Sequence, residues 1–396
     1  MSDQDFNLKN IFPIFITAMI DFIGFGIIIP IGPYYVETFH GNPVDFSILL
    51  VVYSAAQFVA SPYLGRLSDR FGRKKVLSVG LSGEIFGYLI FGLSPFLFLL
   101  YIGRLITGAT SGNLPVLYSF VSDKTDAGNR TRAIGLIGAA IGIGFVIGPA
   151  IGGLLSIFGY RVPILFAGFL SLFNLILVQR LREEKKKTKY QKRSVIEAFK
   201  TSPYLFMSIA AIAVGFVMLQ TVLAFYGQAL YNWTSLIVGI LLAVIGVQQA
   251  IYQIGLVPKL VTKIGLFKTI MIGIFSFILS FFLLSFRMPE YISIVSLSLF
   301  AFGYSLFQTP VISYVSQIAL DDSRGASLGI TQSAQSLASI IGPLIAGYLF
   351  YSISKFIPFQ MSAIMGVISV ILFWITIRSN RNNLTQQNIR SELKNQ

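Results

Sequence analysis

Apolar residues along this chain come in long blocks, and polar residues collect in the short gaps between them. Twelve blocks are long enough to cross about 30 Å of hydrocarbon as helices. They lie near 11–34, 46–66, 75–94, 96–121, 132–156, 161–180, 203–229, 233–257, 267–287, 290–316, 326–351 and 356–378. The pattern predicts an all-α membrane protein with twelve transmembrane helices, multi-pass in the cell membrane.

Charge strengthens that reading. Hydrophobic residues make up 55% of the 396 and charged ones 12%, against roughly a quarter in a soluble domain. The net charge of +14 is spread over short cationic clusters between apolar blocks. No basic face on a soluble fold is visible, so nucleic acid is not an expected partner. Connections after odd-numbered spans carry only Arg161, Arg287 and Lys355. Those after even-numbered spans carry Arg66, Arg70, Arg73, Lys74 and Lys75, then Lys124, Arg130 and Arg132. Nine more lie between Arg180 and Lys200, followed by Lys259, Lys263, Lys268 and Arg324. By the positive-inside rule both termini are cytoplasmic. The opening MSDQDFNLKN is acidic and lacks a small-residue cleavage site, so a cleaved signal peptide is not expected.

Cysteine is absent, and the one histidine, His40, falls in a polar connection. Thiolate metal sites, histidine zinc sites and a Ser-His-Asp triad therefore lack their residues. Neither an enzyme nor a cofactor or metal is expected.

The chain also repeats itself. VSDKTDAGNRTRAIGLIGAAIGIGFVIGPAIGG starts at Val121 and VSQIALDDSRGASLGITQSAQSLASIIGPLIAG at Val315. An ungapped offset of 194 matches Arg130 to Arg324, Gly135 to Gly329, Gly148-Pro149 to Gly342-Pro343, and Gly153 to Gly347. Two six-helix bundles follow, 1–180 and 203–396, joined by a basic linker at 181–202. Membrane transporters built from such repeats hold cargo between the halves near mid-membrane.

Between the second and third spans runs GRLSDRFGRKK, with five cations around Asp69. Gly65 suits a close approach where a helix ends, and Gly72 suits a turn. Asp69, Arg70 and Arg73 supply charge for pairing across a membrane face. This reads as a conformational latch. A fainter echo, PKLVTKIGLFK, has Gly265 for Gly72, Lys263 for Arg70 and Thr262 for Asp69.

These residues resemble the major facilitator superfamily, and within it the twelve-span drug/proton antiporters. GRLSDRFGRKK is similar to the superfamily's signature between spans 2 and 3, and RLITGATSGN at 104–113 to the arginine-bearing signature of span 4. GFVIGPAIGG at 144–153 is similar to the antiporter signature of span 5, and DFIGFGIIIP in span 1 to tetracycline-type exporters. The resemblance implies two pseudo-symmetric six-helix bundles and export of a drug-like compound in exchange for protons by alternating access, in a monomer. It implies that spans 1 and 4 line the central cavity while span 3 is peripheral. It also implies that Asp69 meets the start of span 11 near Ser327 and that Arg73 reaches Asp123. The glycine face Gly144, Gly148, Gly152, with Pro149, would pack against the other half and seal the cavity in one state.

Three ionisable residues fall deep within predicted spans: Asp21, Glu84 and Arg104. Each costs about 2.5–3.5 kcal/mol on insertion scales and is a functional candidate for that reason. Asp21 and Arg104 sit at similar depth, so Asp21 is the expected proton carrier with Arg104 setting its balance. The alternative is a static Asp21–Arg104 pair. Glu84 is either an accessory proton site or a bond to a neighbouring helix. Second-half span interiors carry no charge.

The expected cavity is lined by amides and aromatics. In the first half these are Phe25, Tyr53, Gln57 and Asn113. In the second they are Gln220, Phe225, Gln249, Tyr252, Tyr304 and Gln308, with Gln332 and Gln335 on one polar face of span 11. Interhelical hydrogen bonding is the simpler account of any single glutamine. Export of a sugar or metabolite, facilitation and uptake symport are the competing functions.

Overall fold

A computed structural model describes residues 8–125, 127–181, 202–318 and 324–394. The expected linker at 181–202 lies almost wholly outside them. The described residues form helices joined by short turns. In chain order these are α1 (Leu8–Glu37), α2 (Pro43–Phe71), α3 (Arg73–Leu93), α4 (Leu97–Thr110), α5 (Leu114–Lys124), α6 (Ala127–Leu155) and α7 (Arg161–Gln179). Then follow α8 (Pro203–Tyr231), α9 (Ser235–Ile251), α10 (Val257–Ile264), α11 (Leu266–Leu284), α12 (Glu290–Ile318), α13 (Arg324–Ser352) and α14 (Ile357–Lys394). Among the described residues eleven spans are long and apolar enough to cross a membrane.

The remaining predicted span, 96–121, is not one helix. α4 stops at Thr110 and α5 restarts at Leu114. Pro115 has no N–H to give the carbonyl of Ser111, four residues back. Gln57 of α2 takes that carbonyl instead, its Nε2 donating at 3.1 Å. A methyl at Gly112 would stand 3.1 Å from the Cα of Ser61, so α2 lies directly over the break. A milder interruption divides α9 from α10, where a π turn at Tyr252–Leu256 precedes Pro258. Both breaks follow from a proline that removes a ladder bond.

The helix ends are written in the sequence. Asn42 caps α2 by accepting from Val44 N at 2.8 Å, and Asp45 returns the bond to Asn42 N at 2.8 Å. At the other end, Gly72 has φ 101° and turns the chain directly into α3. Its echo Gly265 does the same between α10 and α11 at φ 89°. Gly65, expected where a helix ends, lies inside α2; the helix continues to Phe71 because only Gly72 takes the left-handed turn.

Packing divides the chain into two compact units. The first comprises Met1–Tyr190, Gln220–Ala250 and Pro343–Lys355. Here α1 lies against α6 and α7, α3 against α4 and α7, and α2 against α4. Glycines set the closest crossings: Gly103 faces the Gly87 carbonyl, and Gly108 rests on the backbone of Tyr53. Towards the N-terminal end of α1, Ile14 and Ala18 join Leu77, Leu81, Leu117, Phe120 and Ile137 in a dry cluster. At the other end of α1, the Tyr34 hydroxyl donates to Trp233 O at 2.7 Å and Gln228 Nε2 to Glu37 Oε2 at 2.8 Å. The second unit comprises Gln191–Leu219, Ile251–Gly342 and Phe356–Gln396. It repeats the glycine crossing, Gly273 of α11 meeting Gly303 of α12 beside a Phe277–Phe281–Phe300 core.

Candidate functional site

Asp21, Glu84 and Arg104 all come together with Tyr53 and Asn113 inside the first unit, but not in the expected pairing. Asp21 sits midway along α1, and the break after α4 places Asn113 beside it. Asn113 Nδ2 donates to Asp21 Oδ2 at 3.1 Å and to Glu84 Oε1 at 3.0 Å. The second oxygen of each acid has its own donor on α7. Asn174 Nδ2 reaches Asp21 Oδ1 at 2.8 Å, and Ser171 Oγ reaches Glu84 Oε2 at 3.3 Å. Asn174 also bonds the carbonyl of Thr17 at 3.2 Å. Four elements thus converge on two carboxylates.

Glu84 is therefore not peripheral. It is 3% exposed and shares a donor with Asp21. The reason lies in α3, whose Gly80, Gly83 and Gly87 line the same face as Glu84 and let the α4 region approach closely. A methyl on Gly80 would stand 2.8 Å from Asn113 Oδ1.

Arg104 does not pair with Asp21. Among the described residues it makes no ion pair, and its three guanidinium nitrogens have no hydrogen-bond partner although it is 1% exposed. Its charge lies over aromatic faces instead, 4.3 Å from the Tyr53 ring centre and 5.8 Å from that of Phe91. Gly108, one turn further along α4, seats that helix on the Tyr53 backbone and so brings Arg104 under the ring.

The expected cargo residues divide into several environments. Phe25 packs on Tyr53 at 5.3 Å and on Phe145 at 5.8 Å, while Tyr53 OH accepts from Gln57 Nε2 at 3.2 Å. Asn113 is committed to the two acids, which corrects its placement among cargo ligands. Phe225 is a packing residue between Phe46 and Phe350, at 6.0 and 6.1 Å. Gln220 and Gln249 are half-buried on α8 and α9. Tyr252, in the π turn, packs edge-on against Phe302 at 5.5 Å. In the second unit Tyr304, Gln308 and Gln335 do share a small cavity, with Thr331, Ile209 and Phe307. Tyr304 stacks on Phe216 at 4.7 Å along one wall. Gln332 is exposed and does not join them.

The glycine face of α6 also departs from expectation. A methyl at Gly144 would stand 2.7 Å from Phe22 Cβ, one at Gly148 would stand 2.7 Å from Ile23 O, and one at Gly152 would strike Ile27 O. All three face α1 of the same half, and Pro149 closes on α1 as well, its Cδ 3.0 Å from where a methyl on Gly26 would stand. Gly153, one residue further round the helix, is what meets the second half: a methyl there would stand 3.0 Å from Gly239 Cα. A step of one residue turns a helix by roughly 100°, enough to exchange the two faces.

At the latch, Asp69 pairs with Arg73 one turn on, and Arg73 Nε reaches Asp123 Oδ2 at 3.1 Å. Arg73 also donates to Ser68 Oγ at 2.6 Å. Arg70 lies over its neighbour Phe71, 5.2 Å from the ring centre. The side chain of Ser327, the expected partner of Asp69, lies outside the described residues.

Ser171 and Asn174 were not among the sequence candidates: both are uncharged and lie on a span that carries no motif. Asn174 in SLFNLIL is a polar residue in an apolar run, and that signal was available.

A family model described as Major Facilitator Superfamily matches residues 14–342, and again 259–394. The chain belongs to the Major Facilitator Superfamily. Among superfamily members, the class H tetracycline resistance protein of Pasteurella multocida is 31% identical, over 97% of this chain and 99% of its own. Multidrug resistance protein 2 of Bacillus subtilis (strain 168) is 27% identical over 91% of this chain and 94% of its own. Among solved structures, a bacterial homolog of the human lysosomal transporter Spinster, inward-facing and occupied, superposes with TM-score 0.76 at 14% identity. That likeness covers 96% of this chain and 98% of the other.

Proposed function

We propose that this chain exports a small hydrophobic or amphipathic compound in exchange for protons, by alternating access across the cell membrane. The observation that carries the reading is the pair of buried carboxylates, Asp21 and Glu84, held together in the first half with no cation bonded to either among the described residues. Such acids exchange a proton when their surroundings change. The relatives named for tetracycline and multidrug resistance, similar over nearly the whole chain, supply the cargo class. The lining of Tyr304, Gln308 and Gln335, closed in this structure to about the room of one water, supplies an aromatic wall and neutral amides that would suit a partly apolar solute in an opened state.

In this scheme the two sequence halves move against each other, with both termini cytoplasmic as the cation distribution supports. One chain carries both halves, so a monomer suffices. Asp21 is the principal proton carrier. The latch at Asp69, Arg73 and Asp123 and the glycines of α6 govern the motion.

Reconstituted vesicles loaded with a proton-sensitive dye test the reading. Tetracycline should drive proton movement in the wild type and not in Asp21→Asn. Tetracycline flux without protons in both proteins would favour facilitation, and no flux of tetracycline beside flux of a sugar would favour a metabolite exporter.

A further inference from the structure

We propose that Asn113 is a positioning residue that joins Asp21 and Glu84 into a single proton-binding unit. The inference rests on the proton-exchange reading only for its purpose; the joining itself is a statement about two acids and one amide.

An asparagine amide carries two hydrogens. Here one serves each carboxylate, at 3.1 and 3.0 Å, from a side chain that is 1% exposed. The remaining oxygens are held separately, Asp21 by Asn174 and Glu84 by Ser171. The two acids therefore share one donor, and each has donors of its own, Asn174 for Asp21 and Ser111 with Ser171 for Glu84. Among the described residues Asn113 Oδ1 has no hydrogen-bond partner, so the residue is oriented by its donors.

Its position follows from the backbone. Pro115 interrupts the span, Gln57 occupies the carbonyl of Ser111, and the absent side chain of Gly80 leaves room for the Asn113 amide. Any rearrangement of this break moves the shared donor relative to both acids at once.

The surroundings leave the pair few other ways to balance charge. From α2 the titratable neighbour is Tyr53, from α3 Tyr88, and from α4 Arg104, whose guanidinium is over the Tyr53 ring. The α7 contributions, Ser171 and Asn174, do not titrate. Tyr118 of α5 packs against the apolar cluster towards the start of α1. Two like charges meeting at one amide oppose each other, so the protonation of either acid sets that of the other, and the pair titrates as one system.

Infrared difference spectra of the purified full-length protein, recorded between acid and alkaline pH, test this directly. The carboxyl C=O bands are assigned by their loss in Asp21→Asn and in Glu84→Gln. Asn113→Leu should move the titration midpoints of both acids by about one unit or more. Asn174→Leu should chiefly move that of Asp21, and Ser171→Ala that of Glu84. Each of Asp21→Asn and Glu84→Gln should also move the partner's midpoint. The proposal is overturned if Asn113→Leu moves one band or neither, or if removing one acid leaves the other unchanged. Asn113→Ser, which reaches one acid at most, replaces the leucine variant if that fails to fold. Coupled bands in a protein that moves no protons with tetracycline would defeat the exchange reading and leave the joining intact.

Discussion

The guanidinium of Arg104 lies 4.3 Å from the centre of the Tyr53 ring, and the ring is its principal partner among the described residues. A buried cation with no bonded oxygen depends on that π face. Tyr53→Phe keeps the face and should leave stability nearly unchanged. Tyr53→Leu removes it and should cost about 2 kcal/mol or more, the range for desolvated cation–π contacts. Thermal melting in detergent distinguishes the two. Arg104→Lys should behave more like the leucine variant, because an ammonium cannot stack its charge flat on a ring.

The latch predicts a sharp contrast between its two acids. The Asp69 side chain is 56% exposed, whereas those of Arg73 and Asp123 are each 9% exposed. Asp69→Ala should therefore cost about 1 kcal/mol or less in stability. Asp123→Ala takes from Arg73 its buried acid and leaves it only the exposed Asp69, so it should cost more, about 1.5–3 kcal/mol. Melting temperatures of the two variants, measured side by side, check the order. A larger loss for Asp69→Ala would contradict it.

Gly72 offers a prediction with a backbone cause. Its φ of 101° belongs to a region that side chains with a Cβ rarely enter. Gly72→Ala should cost about 1–3 kcal/mol, and Gly265→Ala, at φ 89°, a similar amount. Crowding does not account for the loss at Gly265, where no atom of the described residues stands within 4 Å of a built methyl. Equal stability of wild type and Gly265→Ala would refute the argument.

The two faces of α6 should fail differently. Gly148→Leu forces α6 off α1 within the first half and should lower the yield and melting temperature of the folded protein. Gly153→Leu meets Gly239 instead. It should leave the α1–α6 packing in place and, on the proposed mechanism, reduce tetracycline flux in vesicles at least tenfold. That figure corresponds to about 1.4 kcal/mol on the closed contact. Normal flux in Gly153→Leu would remove this contact from the transport cycle.

Much of this architecture was legible because hydrocarbon imposes block lengths and charge is expensive within it. The span positions, the Gly72 turn and its echo at Gly265, and the three candidate ions all came from that logic. The direction a helix face points did not. Gly144, Gly148 and Gly152 identify a close-contact stripe, but only the rotation of α6 decides that the stripe serves α1 and leaves Gly153 for Gly239. The partner of Arg104 was hidden for a related reason. Opposite charges invite pairing on paper, yet the crossing at Gly108 puts an aromatic ring over the guanidinium. The broken span was within reach, since Gly112, Asn113 and Pro115 stand in sequence as a helix-breaking run.

Tyr304, Gln308, Thr331 and Gln335 surround their cavity with no ionisable group stronger than a phenol. Substitution there alters shape and hydrogen bonding without adding or removing a charge. On the proposed function, a new toxin can therefore select changes in this lining one neutral residue at a time, with no charge gained or lost at any step.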